Sequence, residues 1–125
     1  MSNPTLIKAF TTGGAVTKRR LVKFGSADAT VVQAAAATDL IIGASDNLDA
    51  ASGARVSVVV AGIADVEAGG NITRGALVTA DADGKAVAAA PAAGVNNRVA
   101  GVAMVSAASG DIIPVLLAPQ QTQGA

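Results

Sequence analysis

The chain has 125 residues, with nine Lys+Arg set against nine Asp+Glu for a formal net charge of zero. That length supports one domain with a single core, and the neutral balance leaves no basic field to hold nucleic acid. Cysteine, histidine, tryptophan and tyrosine are all absent, which excludes disulfides and thiolate metal sites and removes the commonest general base and the stacking platforms of single-strand binders.

An enzyme built from this chain would have to work with Asp, Glu, Lys, Ser and Thr. Apolar residues make up 51% of the sequence, but many are alanine, and a small side chain buries little area at about 25 cal/mol per Å². The core should therefore be thin, and the domain should gain from burying surface against copies of itself or a partner.

The start Met1-Ser2-Asn3-Pro4 lacks a charged segment followed by an apolar core, so no secretory signal is expected. Apolar runs such as residues 86–95 are broken by proline or glycine and fall short of the ~20 residues that span a bilayer. The protein is expected to be soluble and made inside a cell.

Residues 1–15 carry Pro4, Gly13 and Gly14 around one apolar knot of Leu6, Ile7 and Phe10, and read as a flexible N-terminal arm. A strand should follow, ending at Gly25, with Leu21, Val22 and Phe24 among Lys18, Arg19, Arg20 and Lys23. The basic run is either a solvated face or a contact for an acidic partner. A turn at Gly25–Asp28 leads to a short strand at Thr30–Gln33, and Ala34–Ala37 could add at most one helical turn.

An internal echo comes next, between residues 39–62 and residues 97–119. Gly43 aligns with Gly101, Ala50-Ala51-Ser52-Gly53 with Ala107-Ala108-Ser109-Gly110, and Val56, Val58 and Val60 with Ile113, Val115 and Leu117. Each half reads as strand, turn, strand. Between them, residues 62–87 form short strands on glycine turns, with a hairpin at Asp81-Ala82-Asp83-Gly84 whose Gly84 should take a positive φ. Pro114 cannot donate to a ladder, so its strand should be an edge or turn that position outward. Residues 88–97 read as a surface loop and residues 120–125 as a frayed polar tail. The fold class is all-β, a small barrel or sandwich occupying residues 16–119.

No motif carries chemistry. In the Asp81–Gly84 stretch the glycine comes too early for a calcium loop, and Ala92 stands where the bidentate Glu would be. There is no phosphate-binding glycine loop, and Asn71-Ile72-Thr73 signals glycosylation only in a secreted chain. Asp65 and Glu67 would share one strand face, solvated or paired to Arg74, with no third polar partner for acid–base work. No catalytic, cofactor-binding or metal-binding residue is assigned.

The blocks R-L-V-K-F-G, T-D-L-I-I-G-A-S-D, the whole of residues 62–87, R-V-A-G-V-A and G-D-I-I-P-V-L-L together resemble the capsid cement proteins of tailed bacteriophages. The similarity spans about residues 16–119, and it rests on the order of the blocks. It implies a β-rich decoration protein on the outside of a phage head that bridges major capsid protein subunits. It implies self-association too, a homotrimer ahead of a dimer, and a virion location after synthesis in the host bacterial cytoplasm. Leu6, Ile7, Phe10, Lys18, Arg19, Arg20 and Lys23 are the candidate capsid contacts, with no nucleic acid, membrane or cofactor involved. The alternatives are a phage tail or baseplate module, or a small carbohydrate-binding domain or enzyme using Asp65, Glu67, Asp81 and Asp83.

Overall fold

Val, Ile and Thr alternate with small or polar residues along most of the chain, and that period of two produces strands. The computed structural model describes residues 3–124, and among these there are nine strands and no helix. They are β1 (Asn3–Thr12), β2 (Leu21–Phe24), β3 (Thr30–Gln33), β4 (Ile41–Ser45), β5 (Arg55–Glu67), β6 (Leu77–Ala80), β7 (Ala86–Ala88), β8 (Asn96–Ala103) and β9 (Ile112–Gln123). All join one sheet in the order β1-β3-β2-β4-β5-β9-β8-β6-β7, and β1 also pairs with β5.

That additional pairing closes β1, β3, β2, β4 and β5 into a ring. A parallel bridge between Ala68, just past β5, and Ala86 closes β5, β9, β8, β6 and β7 into a second ring. The result is two small barrels with β5 in common.

The second ring repeats the first, pairing by pairing. Phe10 faces Val56 across β1 and β5, as Val66 faces Ile113 across β5 and β9. Val22 lies between Gln33 and Gly43, as Val78 lies between Ala88 and Gly101. Ser45 opposes Val58, as Ala103 opposes Val115. The isolated bridges match as well, Val16 with Ala50 and Ile72 with Ala107, each held by two backbone hydrogen bonds of 2.8 or 2.9 Å. The first half of β5 is the last strand of one unit, and its second half is the first strand of the next. The echo visible in the sequence covers only β4–β5 and β8–β9 of this duplication.

One glycine in each unit is required by a close approach. A Cβ on Gly43 would fall on the carbonyl oxygen of Val59, and one on Gly101 on that of Leu116. Both glycines lie at register shifts, where a bulge brings the backbones together.

Two clusters make up the core. The larger draws on both units, with Leu21, Ile41 and Val59 packed with Val66, Val78, Ile113 and Val115. The smaller holds Phe10, Val16, Val22, Val31, Val56 and Val58. Valine and alanine dominate both, and Phe10 is the only aromatic in them.

Several local expectations change. Residues 3–12 of the expected arm are a strand in the sheet, because β5 needs partners for its backbone groups along thirteen residues. Phe10 is buried at 7% exposure, so the apolar knot is partly core. Gln120–Gln123 of the expected tail pair with Asn96–Val99. Met1, Ser2 and Ala125 lie outside the described residues. Ala34–Ala37 form a non-helical turn in which Asp39 Oδ2 accepts the N–H groups of Ala35 and Ala36. Pro114 sits in an interior strand opposite Asp65. Its carbonyl accepts the Met104 N–H just past the end of β8, the side on which its own missing N–H would point.

Candidate functional site

β1 pairs with β5 along its length but meets β3 only at Thr11 and Thr12. From Asn3 to Phe10 one edge of β1 has no strand beside it among the described residues. Register shifts on either side of Leu6 interrupt the alternation of side chains. Leu6 and Ile7 both reach solvent as a result, at 55% and 44% exposure. Phe10 turns inward and meets Phe24 edge to face, with ring centroids 6.4 Å apart. Lys8 Nζ lies 5.5 Å from the centroid of the Phe10 ring, a cation–π contact that fixes this end of the strand.

Folding separates the four basic residues that lie together in sequence. Lys18 is exposed, and its backbone N–H donates to Asp49 Oδ1 at 2.8 Å. Arg19 takes a left-handed φ of 56° as the turn closes. Arg20 folds back into the domain, where its Nη2 donates to Glu67 Oε1 at 3.3 Å and its Nη1 to the Asp83 carbonyl at 2.9 Å. Lys85 approaches the other Glu67 oxygen at 3.1 Å. Lys23 pairs with Asp39 at 3.0 Å. Arg20 thus ties the two units together and Lys23 and Phe10 brace the first, while Leu6, Ile7 and Lys18 face outward and Arg19 is half-buried. Glu67 was expected to face solvent or pair with Arg74; its partners are Arg20 and Lys85, both brought in from far along the chain.

These ion pairs set an acid limit. The hydrogen bond from Lys85 holds the Glu67 carboxyl below its ordinary value against the opposing effect of burial, with Arg20 adding to the pull. Burial pushes Asp39 up, but the Ala35 and Ala36 N–H groups and Lys23 together outweigh it and lower its pKa. Both shifts are downward, so the unfolded chain takes up protons first as pH falls. The stabilisation is complete above the ordinary values of 4.5 and 3.8, and is lost as pH drops through the lowered ones. The melting temperature should therefore fall as the pH is taken from about 5 to about 3. Glu67→Gln should cost about 1 kcal/mol at neutral pH and flatten that fall; an unchanged profile in the variant would remove Glu67 from the account.

Asp49, Asp81 and Asp111 serve the backbone. Asp81 Oδ1 accepts the N–H groups of Asp83 and Lys85, closing the β6–β7 turn. Among the described residues no group of three or more Asp or Glu is placed to hold a metal ion. The surface is one of strand edges, turns and small apolar groups, suited to contact with another protein.

Comparison with known proteins agrees with that chemistry. The sequence profile of the phage cement proteins matches residues 2–117. The chain belongs to the phage cement protein family. As a cement protein it is a structural component of the phage head, bound to the capsid and part of the virion. No curated protein matches its sequence. Its fold is similar to that in the crystal structure of the head fiber gp8.5 N base in bacteriophage phi29, at 21% identity over 90% of this chain and 93% of that one, with a TM-score of 0.69.

Proposed function

We propose that this cement protein sits on the outer surface of the head and bridges neighbouring major capsid protein subunits, with β1 as one contact. The observation that carries the reading is the unpaired edge of β1, with Leu6 and Ile7 exposed beside it. A strand edge of this kind can accept an extended segment, with backbone hydrogen bonds giving affinity and alternate side chains giving register. Lys18 is exposed and Arg19 half-exposed beside it, available to acidic groups on the shell.

Self-association belongs to the same reading, a trimer ahead of a dimer. It is supported by an apolar row across four strands, in which Ile63 faces Leu116, Leu116 faces Val102, and Val102 faces Leu77. Leu116 is 45% exposed in the single chain.

The test is co-sedimentation with undecorated heads. Leu6→Asp combined with Ile7→Asp should leave the melting temperature within a few degrees of the parent and weaken binding about tenfold or more, a loss of roughly 1.4 kcal/mol. Full binding by that variant would remove β1 from the interface, and a parent protein that stays in the supernatant would overturn the outer-surface reading. Mass measurement of decorated particles counts the copies at each position; isolated monomers alone would end the trimer proposal.

A further inference from the structure

The duplication places two similar surface features on one chain. In the first unit the bridge from Val16 to Ala50 is followed by a turn in which the Lys18 N–H donates to Asp49 Oδ1 at 2.8 Å. In the second unit the bridge from Ile72 to Ala107 is followed by a turn in which the Arg74 N–H donates to Ser106 Oγ at 3.0 Å. The residue after each cation has a positive φ, Arg19 at 56° and Gly75 at 90°. The facing loops end alike, in Gly53 at 81° and Gly110 at 93°. The residue before Asp49 is Leu48, 74% exposed, and the residue before Ser106 is Val105, 38% exposed. Each unit thus presents an exposed cation beside an exposed aliphatic tip.

Folding alone does not account for the match in chemistry. The backbone bonds at these turns need no particular side chain at Lys18 or Arg74, and no ion pair holds either one among the described residues. Leu48 and Val105 contribute little to the core from such positions, and solvent exposure gives an aliphatic residue no benefit there. By contrast, Arg20, which reaches across to Glu67 and Asp83, and Lys23, which pairs with Asp39, are answered in the second unit by Ala76 and Thr79. What recurs is the outward-facing pair.

The two features lie at opposite ends of β5. The first loop runs directly into Arg55, and the second runs into Ile112, which pairs with Glu67 at the far end of the same strand. The thirteen residues of strand between them span about 40 Å, which sets the scale of their separation. A shell offers its own surface many times over at fixed spacing. A chain with two like grips can take hold of two copies of one subunit, and linking the grips raises the local concentration of the second once the first is bound.

We propose that Lys18 with Leu48, and Arg74 with Val105, are two copies of one docking site, through which a single chain holds the same acidic and apolar patch on two neighbouring copies of the major capsid protein. This rests on the cement reading above and adds to it the number of grips, their residues and the chemistry of the patch they fit.

The experiment uses the full chain, undecorated heads and the isolated major capsid protein. The variants are Lys18→Ala with Leu48→Ser, Arg74→Ala with Val105→Ser, and all four together. All four positions are exposed or partly so, and melting temperatures near that of the parent verify folding. Each pair should weaken binding to heads about 100-fold or more, and to a similar extent, while the fourfold variant should bind more weakly than either, through β1 alone. On isolated capsid protein the parent chain should take up two copies and each paired variant one. A parent that binds heads but takes up one copy, or paired variants that bind heads like the parent, would overturn the two-grip proposal and leave the cement reading standing. A parent that fails to bind heads would overturn both.

Discussion

Gly101→Val should lower the melting temperature by about 10–20 °C and cut the yield of soluble protein. Its Cβ would occupy the place of the Leu116 carbonyl oxygen, and the Ala118 nitrogen is only 3.0 Å from the same point. Both obstacles are backbone, so no side chain can move aside. Relief would require β8 and β9 to separate around the register shift between Val99 and Gly101. Overpacking of this kind costs about 1–3 kcal/mol, and each ladder bond given up adds about 1 kcal/mol. A total near 4 kcal/mol is a large share of the roughly 5–15 kcal/mol that holds a small domain together. Gly43→Val meets the Val59 carbonyl in the same way and should be nearly as damaging. Far-ultraviolet circular dichroism on both variants checks this, and a parent-like melt for Gly101→Val would disprove the β8–β9 register.

The second large effect is expected at Gly84. Its φ is 73°, as the Asp-Gly hairpin reading required, and a β-branched side chain resists that region. The surroundings add to the strain. A Cβ there would come within 2.7 Å of Gln33 Cγ and 2.9 Å of the Ala34 carbonyl oxygen. The Gly84 carbonyl also accepts the Leu21 N–H at 2.8 Å, tying the β6–β7 turn to the first unit. Gly84→Val should therefore destabilise by about 2–4 kcal/mol. Gly53→Ala is the informative comparison. Gly53 shares the positive φ, at 81°, but a Cβ there meets nothing within 4 Å, so only about 1 kcal/mol of backbone strain is expected. Equal urea midpoints for the two variants would show that the contact with Gln33 and Ala34 plays no part.

The local signals in the sequence were strong where strands are short and turns are glycine. β2, β3 and the β6–β7 hairpin fall where alternation and the Asp-Gly pair put them. β5 was harder to see, because Gly62 looks like a turn yet lies inside a continuous strand. Its φ of 93° and the close approach of Asn3 and Thr5 explain it, since only a residue without a side chain lets β1 pass there. Nothing near Leu6 or Ile7 could show that β1 has a partner, because that partner lies some fifty residues away and the side chains stay exposed. The same distance hid the difference between Lys18 and Arg20. Both are cations in one run, and only the arrival of Glu67 and Asp83 draws Arg20 inside. The second copy of the turn at Arg74 was latent in the repeated Ala-Ala-Ser-Gly, and β2–β3 against β6–β7 had diverged too far for the rest of the repeat to show.

The common strand also determines how this protein should fail. Peeling β9 away would strip one side of β5, and peeling β1 away would strip the other, so neither ring can melt and leave its neighbour intact. The larger apolar cluster spans both rings and enforces the same coupling. Heating should give a single calorimetric transition, with equal van't Hoff and calorimetric enthalpies, and no half-molten species should accumulate. On a phage head each copy of the protein is then either whole or gone, and a weakened head would carry fewer copies, each at full strength.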